Sequence, residues 1–421
     1  SNEIGTGITP RSRAPDETFR KAADALWNDW TKVADADGVL DFYGLQSLAS
    51  RTRVEGGEVF IRLRQRAPSD GLPVPLQLQF LEPEFCPSDT NELLPIGGHS
   101  IRAGIEFNGI GKRTAYWMHR THPGERFLTI NLAELVPVPA SSVIHHYAPL
   151  RPGQLRGAPW TVQALIKTRD FDEYDDAELV RKKSRASYTA AITRANYADD
   201  EYKFDPFSGA PLDPQNGDVP IMTVEPGAMV AMLPGEDLKF FEGDSTGAGY
   251  ADFVRQQLLG AAAALDIPYE FLSGDMSKVN DRLMRVVLNE FHRILEQSQW
   301  HLVIPQICEP VWSAWMDQAV LAGALTAPEY FARRKEYQRV DWRPQRWEYI
   351  HPVQDVQARQ MEVASGFNSR SAVVAERGED AEEIDRQNAE DKNRAEGLGL
   401  TYATHNLPPA PEQDDQGAAA A

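Results

Sequence analysis

The stretch Leu259–Phe291, LGAAAALDIPYEFLSGDMSKVNDRLMRVVLNEF, decides how this chain is read. An alanine run continues one helical pattern, the polar segment SGDMSKVND breaks it, and a second helical pattern follows. The break carries Asp275, Lys278, Asp281 and Arg282, yet no catalytic set stands beside it. A charged loop between two helices, with no chemistry of its own, reads as a surface that faces a passing polymer.

Downstream, a long amphipathic helix is predicted from about Val279 to His301. Leu283, Val287, Ile294 and Leu295 fall near one face, with Val286 and Phe291 flanking it. Pro305 and Pro310 should bend or interrupt the chain after it. VWSAWMDQAVLAG (311–323) predicts a helix, YQRVDWRPQRWEYIHP (337–352) a strand pair or extended segment, and 353–396 a set of acidic helices. The tail NLPPAPEQDDQGAAAA is expected to be disordered.

Upstream, Tyr250, Val254, Leu258, Ala261 and Leu265 form one stripe of a helix over 249–266. Another helical pattern carries Ala177, Val180, Ser184, Tyr188 and Ala191 on a stripe of mixed, largely small residues, with a basic section at Arg181, Lys182, Lys183 and Arg185. Between them, residues 196–248 are rich in Pro, Gly and Asp, which allows short strands such as MTVEPGAMVAML but no long helix. If the two helices are neighbours, this insert projects from the end of a two-helix stalk.

Residues 58–148 change character. VFIRLRQ (59–65) and LQLQF (76–80) alternate apolar and polar residues as half-buried strands do. IRAGIEFNGIGKRTAYWMHR reads as two strands around a turn at Asn108–Gly111. LVPVPASSVIHHY adds one or two more, with Pro137 and Pro139 suggesting a sheet edge. Ahead of this antiparallel module, DETFRKAADALWNDWTKVAD predicts a helix capped by Asp16, and Asp41–Arg53 a second helix.

Bulk properties bound the function. A length of 421 residues admits two or three domains or one elongated protomer with several modules. No run of about 18 apolar residues is present, so no membrane span is expected, and SNEIGTGITPRSR has no apolar signal core, which makes the cytosol the default origin. Cys86 and Cys308 make neither a disulfide framework nor a zinc site. The formal charge of −19 argues against a tight nucleic-acid binder, but not against a protein past which DNA must slide.

Candidate chemistry is sparse. GIEFNGIGKR (104–113) resembles a phosphate-cradling loop, but the spacing fails and Arg113 stands where a Ser or Thr should hold magnesium, so a hairpin turn is expected. His145 and His146 are adjacent and should point to opposite faces of a strand, and His119 and His122 form a second cluster; no metal site and no cofactor are expected. EDLK (236–239) contains the Asp-x-Lys element of some metal-dependent nucleases, here Asp237 and Lys239, without a clear carboxylate partner upstream. The basic section at 181–185 reads equally as a phosphate contact or as a solvated helix face or ion pairing with a neighbouring acidic helix, and Lys278 and Arg282 as facing nucleic acid or as subunit salt bridges.

Several segments together resemble the portal proteins of tailed bacteriophages, of the lambda type: ALDIPYEFLSGDMSKVNDRLMRVVLNEFHRILEQSQWHLV followed by ICEPVWSAWMDQAVLAG, RGAPWTVQALIKTRDFDEYDDAELVRKKSRASYTAAIT, VPIMTVEPGAMVAMLPGEDLKFFEGD and IGTGITP. The resemblance runs from about Ile4 to about Leu398, and Asp266 stands where the family often has Gly. It implies an α+β portal fold, an elongated protomer with a mixed α/β wing (1–170 and 269–350), a two-helix stem (171–195 and 249–268), a small β-containing clip (196–248), a helical crown (351–400) and a disordered tail (401–421).

The resemblance further implies a ring of twelve copies at one vertex of the virion capsid, assembled in the cytoplasm of a host bacterium. The ring would conduct DNA during packaging and ejection without catalysis of its own. Its partners would be double-stranded DNA bound non-specifically, the terminase large subunit, a head-completion adaptor and the major capsid protein, with no membrane. Ser273, Asp275, Lys278, Asn280 and Arg282 would form the tunnel loop in the channel, and Val254 and Leu258 would pack the ring. The alternatives are a metal-dependent nuclease or another structural ring of the phage neck or head.

Overall fold

The computed structural model describes residues 3–93, 98–124, 135–187, 190–194, 236–240, 247–277, 279–345, 347, 352–377 and 379–400. The chain divides into two compact units, residues 1–160 with 279–421 and residues 161–278.

The larger unit begins with a lead that is pinned rather than loose. Gly5 and Gly7 take left-handed backbone (φ +58° and +118°), and at Gly7 a Cβ would fall 2.4 Å from the ring of Tyr43. That close approach buries Ile4 and Ile8 completely, and Gln46 bonds the backbone of Ile8 in both directions, at 2.8 and 3.1 Å. Strand β1 (Thr9–Ser12) follows, then helix α1 (Glu17–Thr31), whose N-cap Asp16 accepts from the Thr18 N–H as expected. Helix α2 (Phe42–Gly56) is capped by Asp41 and ends at Gly57, φ +87°, whose turn feeds directly into the next strand. A side chain at Gly57 would lie 2.5 Å from the Ala158 carbonyl carbon.

The β module is antiparallel throughout its ladders but splits into two sheets. Strands β2 (Glu58–Gln65) and β3 (Leu76–Leu81) match the expected alternation. They belong to a three-stranded sheet in which β2 is central, with β3 on one side and the strand Val143–Tyr147 on the other. The other sheet orders β4 (Glu92–Leu93), β5 (Ser100–Arg102), β6 (Ile105–Phe107), β7 (Arg113–Met118) and β8 (Val136–Pro139) consecutively. The two prolines do place β8 at an edge. Where two strands were expected around Asn108–Gly111, a third strand, β5, precedes them, because Ala103 and Gly104 turn the chain with positive φ (50° and 78°). Alanine gives no sequence signal for such a turn. Strand β9 (Val143–Tyr147) leaves β8 and joins the first sheet beside β2.

In the smaller unit, helix α3 (Val162–Ser187) begins nine residues before the expected 171 and stops before the expected 195. Residues 190–194 form strand β10 (Ala190–Arg194), so Ala191 belongs to a strand and not to the helical stripe; Tyr188 lies outside the described residues. Ile192 and Thr193 are β-branched, which favours extended backbone over helix. β10 pairs antiparallel with β11 (Glu236–Phe240), and MTVEPGAMVAML lies outside the described residues. Helix α4 (Gly247–Ala264) and the short α5 (Tyr269–Ser273) complete the unit.

The chain re-enters the larger unit in helix α6 (Asp281–Ser298). The interruption expected at Pro305 takes the form of a wider coil: residues 299–308 are π-helical, with the Glu309 N–H bonded to the Ile304 carbonyl, and α7 (Glu309–Leu321) continues from it. A proline has no N–H to give and its ring crowds the preceding turn, both of which a wider turn accommodates. Pro310 sits in the first turn of α7, where the absent N–H costs little. After α8 (Arg334–Tyr337), strand β12 (Val340–Arg343) pairs with β1. Helices α9 (Pro352–Ala364), α10 (Arg370–Glu376) and α11 (Ala381–Gly397) end the described chain; the tail 401–421 lies outside it.

The main core lies where α1 and α2 meet α7. Trp27 is its hub, with ring centres 4.9 Å from Trp30, 5.2 Å from Phe42, 5.0 Å from Trp312 and 5.0 Å from Trp315. Burying five such rings supplies a large hydrophobic contribution to the fold of this unit.

Candidate assembly and channel surfaces

In the smaller unit, α3 and α4 form an antiparallel hairpin. Ala164 and Ala262 are buried, and Gly260 comes so close to Lys167 that a Cβ there would meet the ammonium at 2.3 Å. Tyr174 packs on Phe253 at 4.4 Å, the Tyr250 hydroxyl donates to Asp175, and the Lys182 ammonium lies 4.4 Å over the Tyr250 ring. That bond to a carboxylate, with some burial, raises the Tyr250 pKa.

The basic section turns inward to a carboxylate. Arg181 bonds Glu178 at 2.7 Å and Lys182 approaches it at 4.0 Å, and Glu178 is itself buried. Lys183 is exposed, and the side chain of Arg185 lies outside the described residues. Val254 and Leu258 are half-buried. The outstanding apolar residues of the hairpin are on α3: Leu165, Ile166 (75% exposed) and Val180 (60% exposed).

The expected tunnel loop spends most of its polar groups on its own turns. The Ser273 hydroxyl donates to the Tyr269 carbonyl and accepts from the Asp275 N–H. Asp275 accepts from the Ser277 N–H at 3.0 Å. Asn280 caps α6 by accepting from the Leu283 N–H at 2.8 Å. Arg282 is exposed in the first turn of α6, and Lys278 lies outside the described residues. Among the described side chains of α6 only Leu295 is buried; Leu283, Val286 and Ile294 stand exposed along the face read as apolar.

His145 and His146 serve the fold. His145 stacks between Phe60 and Tyr147, each 4.5 Å away, accepts from Arg113 at Nδ1 and donates from Nε2 to Glu58. Burial lowers its pKa more than Glu58 raises it. His146 points the other way, donates from Nδ1 to the Gln306 side chain, and burial pushes its pKa down to about 4. Glu58 also bonds Arg156 and the Gly157 N–H, one knot across β2, β9 and the following loop.

Glu82, Glu84 and His122 offer ligand atoms within 4.8 Å of one another. However, His122 accepts from the Gly124 N–H at Nδ1, which puts the ring proton on Nε2, facing Glu82, where a metal would need a lone pair. Cys86 and Cys308 are buried and free, with burial raising the pKa of both, Cys86 to about 11. GIEFNGIGKR is the β6–β7 hairpin, its Asn108 side chain accepting from the Ile110 and Lys112 N–H groups. Asp237 and Lys239 lie on β11 opposite Thr193 and Ala191, neither a carboxylate.

Sequence reasoning missed the cap at Asp266. It has φ +50° just past α4, and the Ile267 N–H reaches back to the Ala262 carbonyl at 3.1 Å. This is the left-handed helix stop that usually takes Gly, which gives the Gly-to-Asp departure a structural meaning.

The family model described as "Phage portal protein, lambda family" matches residues 1–299. The chain belongs to that family. Relatives include the probable portal protein of Halomonas phage phiHAP-1, 26% identical over 411 residues, 95% of this chain and 76% of the relative. Portal protein B of Escherichia phage lambda is 23% identical over 410 residues, 91% of this chain and 75% of the relative. The portal protein of Escherichia phage N15 is also 23% identical, with 91% and 75% covered. Among solved structures, a chain of the neck of an empty gene transfer agent particle aligns with 14% identity and a TM-score of 0.45, covering 90% of this portal chain and 87% of that one. Portal proteins are structural components of the virion.

Proposed function

We propose that copies of this portal protein close into a ring, twelve in the virion, through which DNA enters and leaves the head. The DNA-conduit role comes with the family. The observation that carries the ring is exposed apolar surface on helices that a solitary protomer leaves uncovered: Leu283, Val286 and Ile294 on α6, and Leu165, Ile166 and Val180 on α3. An amphipathic helix buries its apolar face against something, and a repeated heterologous contact covers such faces in every copy.

In this reading α3 and α4 are the stem, 196–248 the clip, 351–400 the crown, and the loop 273–282 faces the channel. A net charge of −19 keeps the wall from holding the duplex, while Arg282 and Lys278 touch phosphate and release it. A separate terminase supplies the energy and docks at the clip, followed by the head-completion adaptor; the capsid protein surrounds the wing. Assembly takes place in the host cytoplasm, and the ring performs no catalysis.

Negative-stain images of the purified chain test this, with rings around a central opening expected. Light scattering of Leu165→Asp/Ile166→Asp and of Val254→Asp/Leu258→Asp should show smaller species. Wild-type protein that stays monomeric at every concentration defeats the proposal, and magnesium-dependent plasmid cleavage would favour the nuclease reading instead.

A further inference from the structure

Strand β2 carries Arg62 and Arg64 at alternate positions, and Arg66 stands just past its end with its N–H on the Pro75 carbonyl at 2.9 Å. Alternation puts the three on one face, about 6.7 Å from one to the next. Their partners are neutral. Arg64 donates from Nη1 to the Gln79 side-chain carbonyl at 2.8 Å, and Arg66 from Nε to that of Gln77 at 2.9 Å. The Gln77 amide is locked in that orientation, because its amino group donates to the Val33 and Asp35 carbonyls, each at 2.9 Å. Arg62 has no bonded partner, and none of the three has an ion pair, among the described residues.

This is unusual in an acidic chain. Arg11, Arg53 and Arg156, in the same unit, all find carboxylates. On β2, amides hold the guanidiniums in place and leave their charge uncancelled. Burial, and then the charges of Arg62 and Arg66, lower the Arg64 pKa against the weaker pull of Asp37.

The row opens on a groove. Beyond Arg62, strand β2 pairs only with β3, since the ladder to β9 stops at Val143. There Arg62 and Arg64 line a space of about 390 Å³ together with Gln65, Gln318 and the hydroxyls of Ser141 and Ser142, which are free among the described residues. The carboxylate in the lining, Asp317, is already taken by Arg334, Gln338 and the Tyr330 hydroxyl.

Guanidinium forks beside free hydroxyls, with no unclaimed carboxylate, form a donor set suited to phosphate. A single phosphate fills one fork, whereas a row of three takes a ligand that repeats its charge along a chain. No large apolar side chain of β2, β3 or β9 is exposed, so the face lacks the anchor that protein partners use. We infer that this face binds the sugar–phosphate backbone of a nucleic acid, without sequence preference and in addition to any contact at Lys278 and Arg282. That the polymer is DNA rests on the conduit reading; the phosphate chemistry does not. The net charge of −19 opposes any polyanion, which keeps the contact short-ranged and released by salt.

Fluorescence anisotropy of a short labelled duplex, titrated with the full chain across a salt series, reads the contact. Wild-type protein should bind at low salt and let go as salt rises. Arg62→Gln/Arg64→Gln should weaken low-salt binding at least about tenfold and flatten the slope of log K against log salt by about 2, at roughly 0.9 per phosphate. Arg62→Lys/Arg64→Lys, which keeps the charge, should keep the slope. A slope unmoved by the glutamine pair, with circular dichroism showing that variant folded, overturns the inference and leaves the conduit reading standing. A wild type that forms no rings yet shows the slope change defeats the conduit reading alone and supports the phosphate face. Complete displacement of the duplex by millimolar inorganic phosphate gives the groove to the free anion, and tighter capture of labelled polyglutamate than of duplex gives the row to an acidic protein. Either result overturns the nucleic-acid assignment.

Discussion

Thr9 stands opposite Arg343 in an antiparallel ladder, and its hydroxyl donates to the Arg343 carbonyl at 3.3 Å across 334 residues of chain. From this two-stranded seam Arg11 reaches Asp380 at 2.6 Å, joining the lead to the first turn of α11. Asp380 also caps α11 by accepting from the Glu382 N–H. Asp380→Ala therefore removes a cap and an ion pair together. A loss of about 1–2 kcal/mol of local stability is expected, seen as faster hydrogen exchange across 381–397 with the amides of α1 unchanged. Uniform exchange in both would refute the local role.

Glu3 is buried beside Arg53, which bonds both its oxygens at 2.9 Å, and the Ser50 and Ser298 hydroxyls donate to it. Burial pushes the Glu3 pKa up, but the Arg53 charge and the hydroxyl bonds outweigh it and leave it lowered. A carboxylate depressed in the folded state stabilises above its unfolded pKa, and that share is lost as pH falls through the folded value. Glu3→Gln should cost about 3–5 kcal/mol at pH 7 because Arg53 is left buried and uncompensated. The gap between variant and wild type in urea melts should narrow below about pH 4. A constant gap would show that charge is not the cause.

His146 makes a different pH window. Its folded pKa of about 4 lies below the ordinary value of 6.5, so the unfolded chain binds the proton first. Stability should fall by about 3 kcal/mol as pH drops from about 6.5 to about 4, and then level off. His146→Gln should flatten that part of the curve even if it lowers stability at pH 7. An unchanged slope would remove His146 from the account.

Asp266 bears strain that Gly would not. Asp266→Gly should be neutral or stabilise by up to about 1 kcal/mol, and Asp266→Val should destabilise by more than that, because a β-branched residue resists positive φ. Thermal unfolding of both variants checks the pair. A stabilised Val variant would contradict the left-handed cap.

Local signals were legible wherever a few neighbouring residues decide the backbone. The Asp16 and Asp41 caps, the alternation in β2 and β3, and the edge prolines of β8 all appear where their residue types demand. The Ala103–Gly104 turn, the π-helical passage through Pro305 and the strand at 190–194 were hidden, because each depends on partners distant in the chain or on a conformation its residues do not advertise. The basic section at 181–185 shows the same limit. Its charge was visible, and so was the i,i+3 and i,i+4 spacing from Glu178 to Arg181 and Lys182, but that Glu178 is buried was decided only once the hairpin packed.

By itself the sequence determined the family, the broad succession of helical and strand-rich segments, the acidic balance and the charged break between α5 and α6. Those follow from composition and from short-range periodicity, which need no knowledge of contacts. Tertiary structure alone decided that Trp27 meets Trp312 and Trp315, that the lead pairs with β12, and that Glu3 faces Arg53. Such contacts close long loops, and the burial that favours them belongs to both partners at once, so neither segment announces it alone.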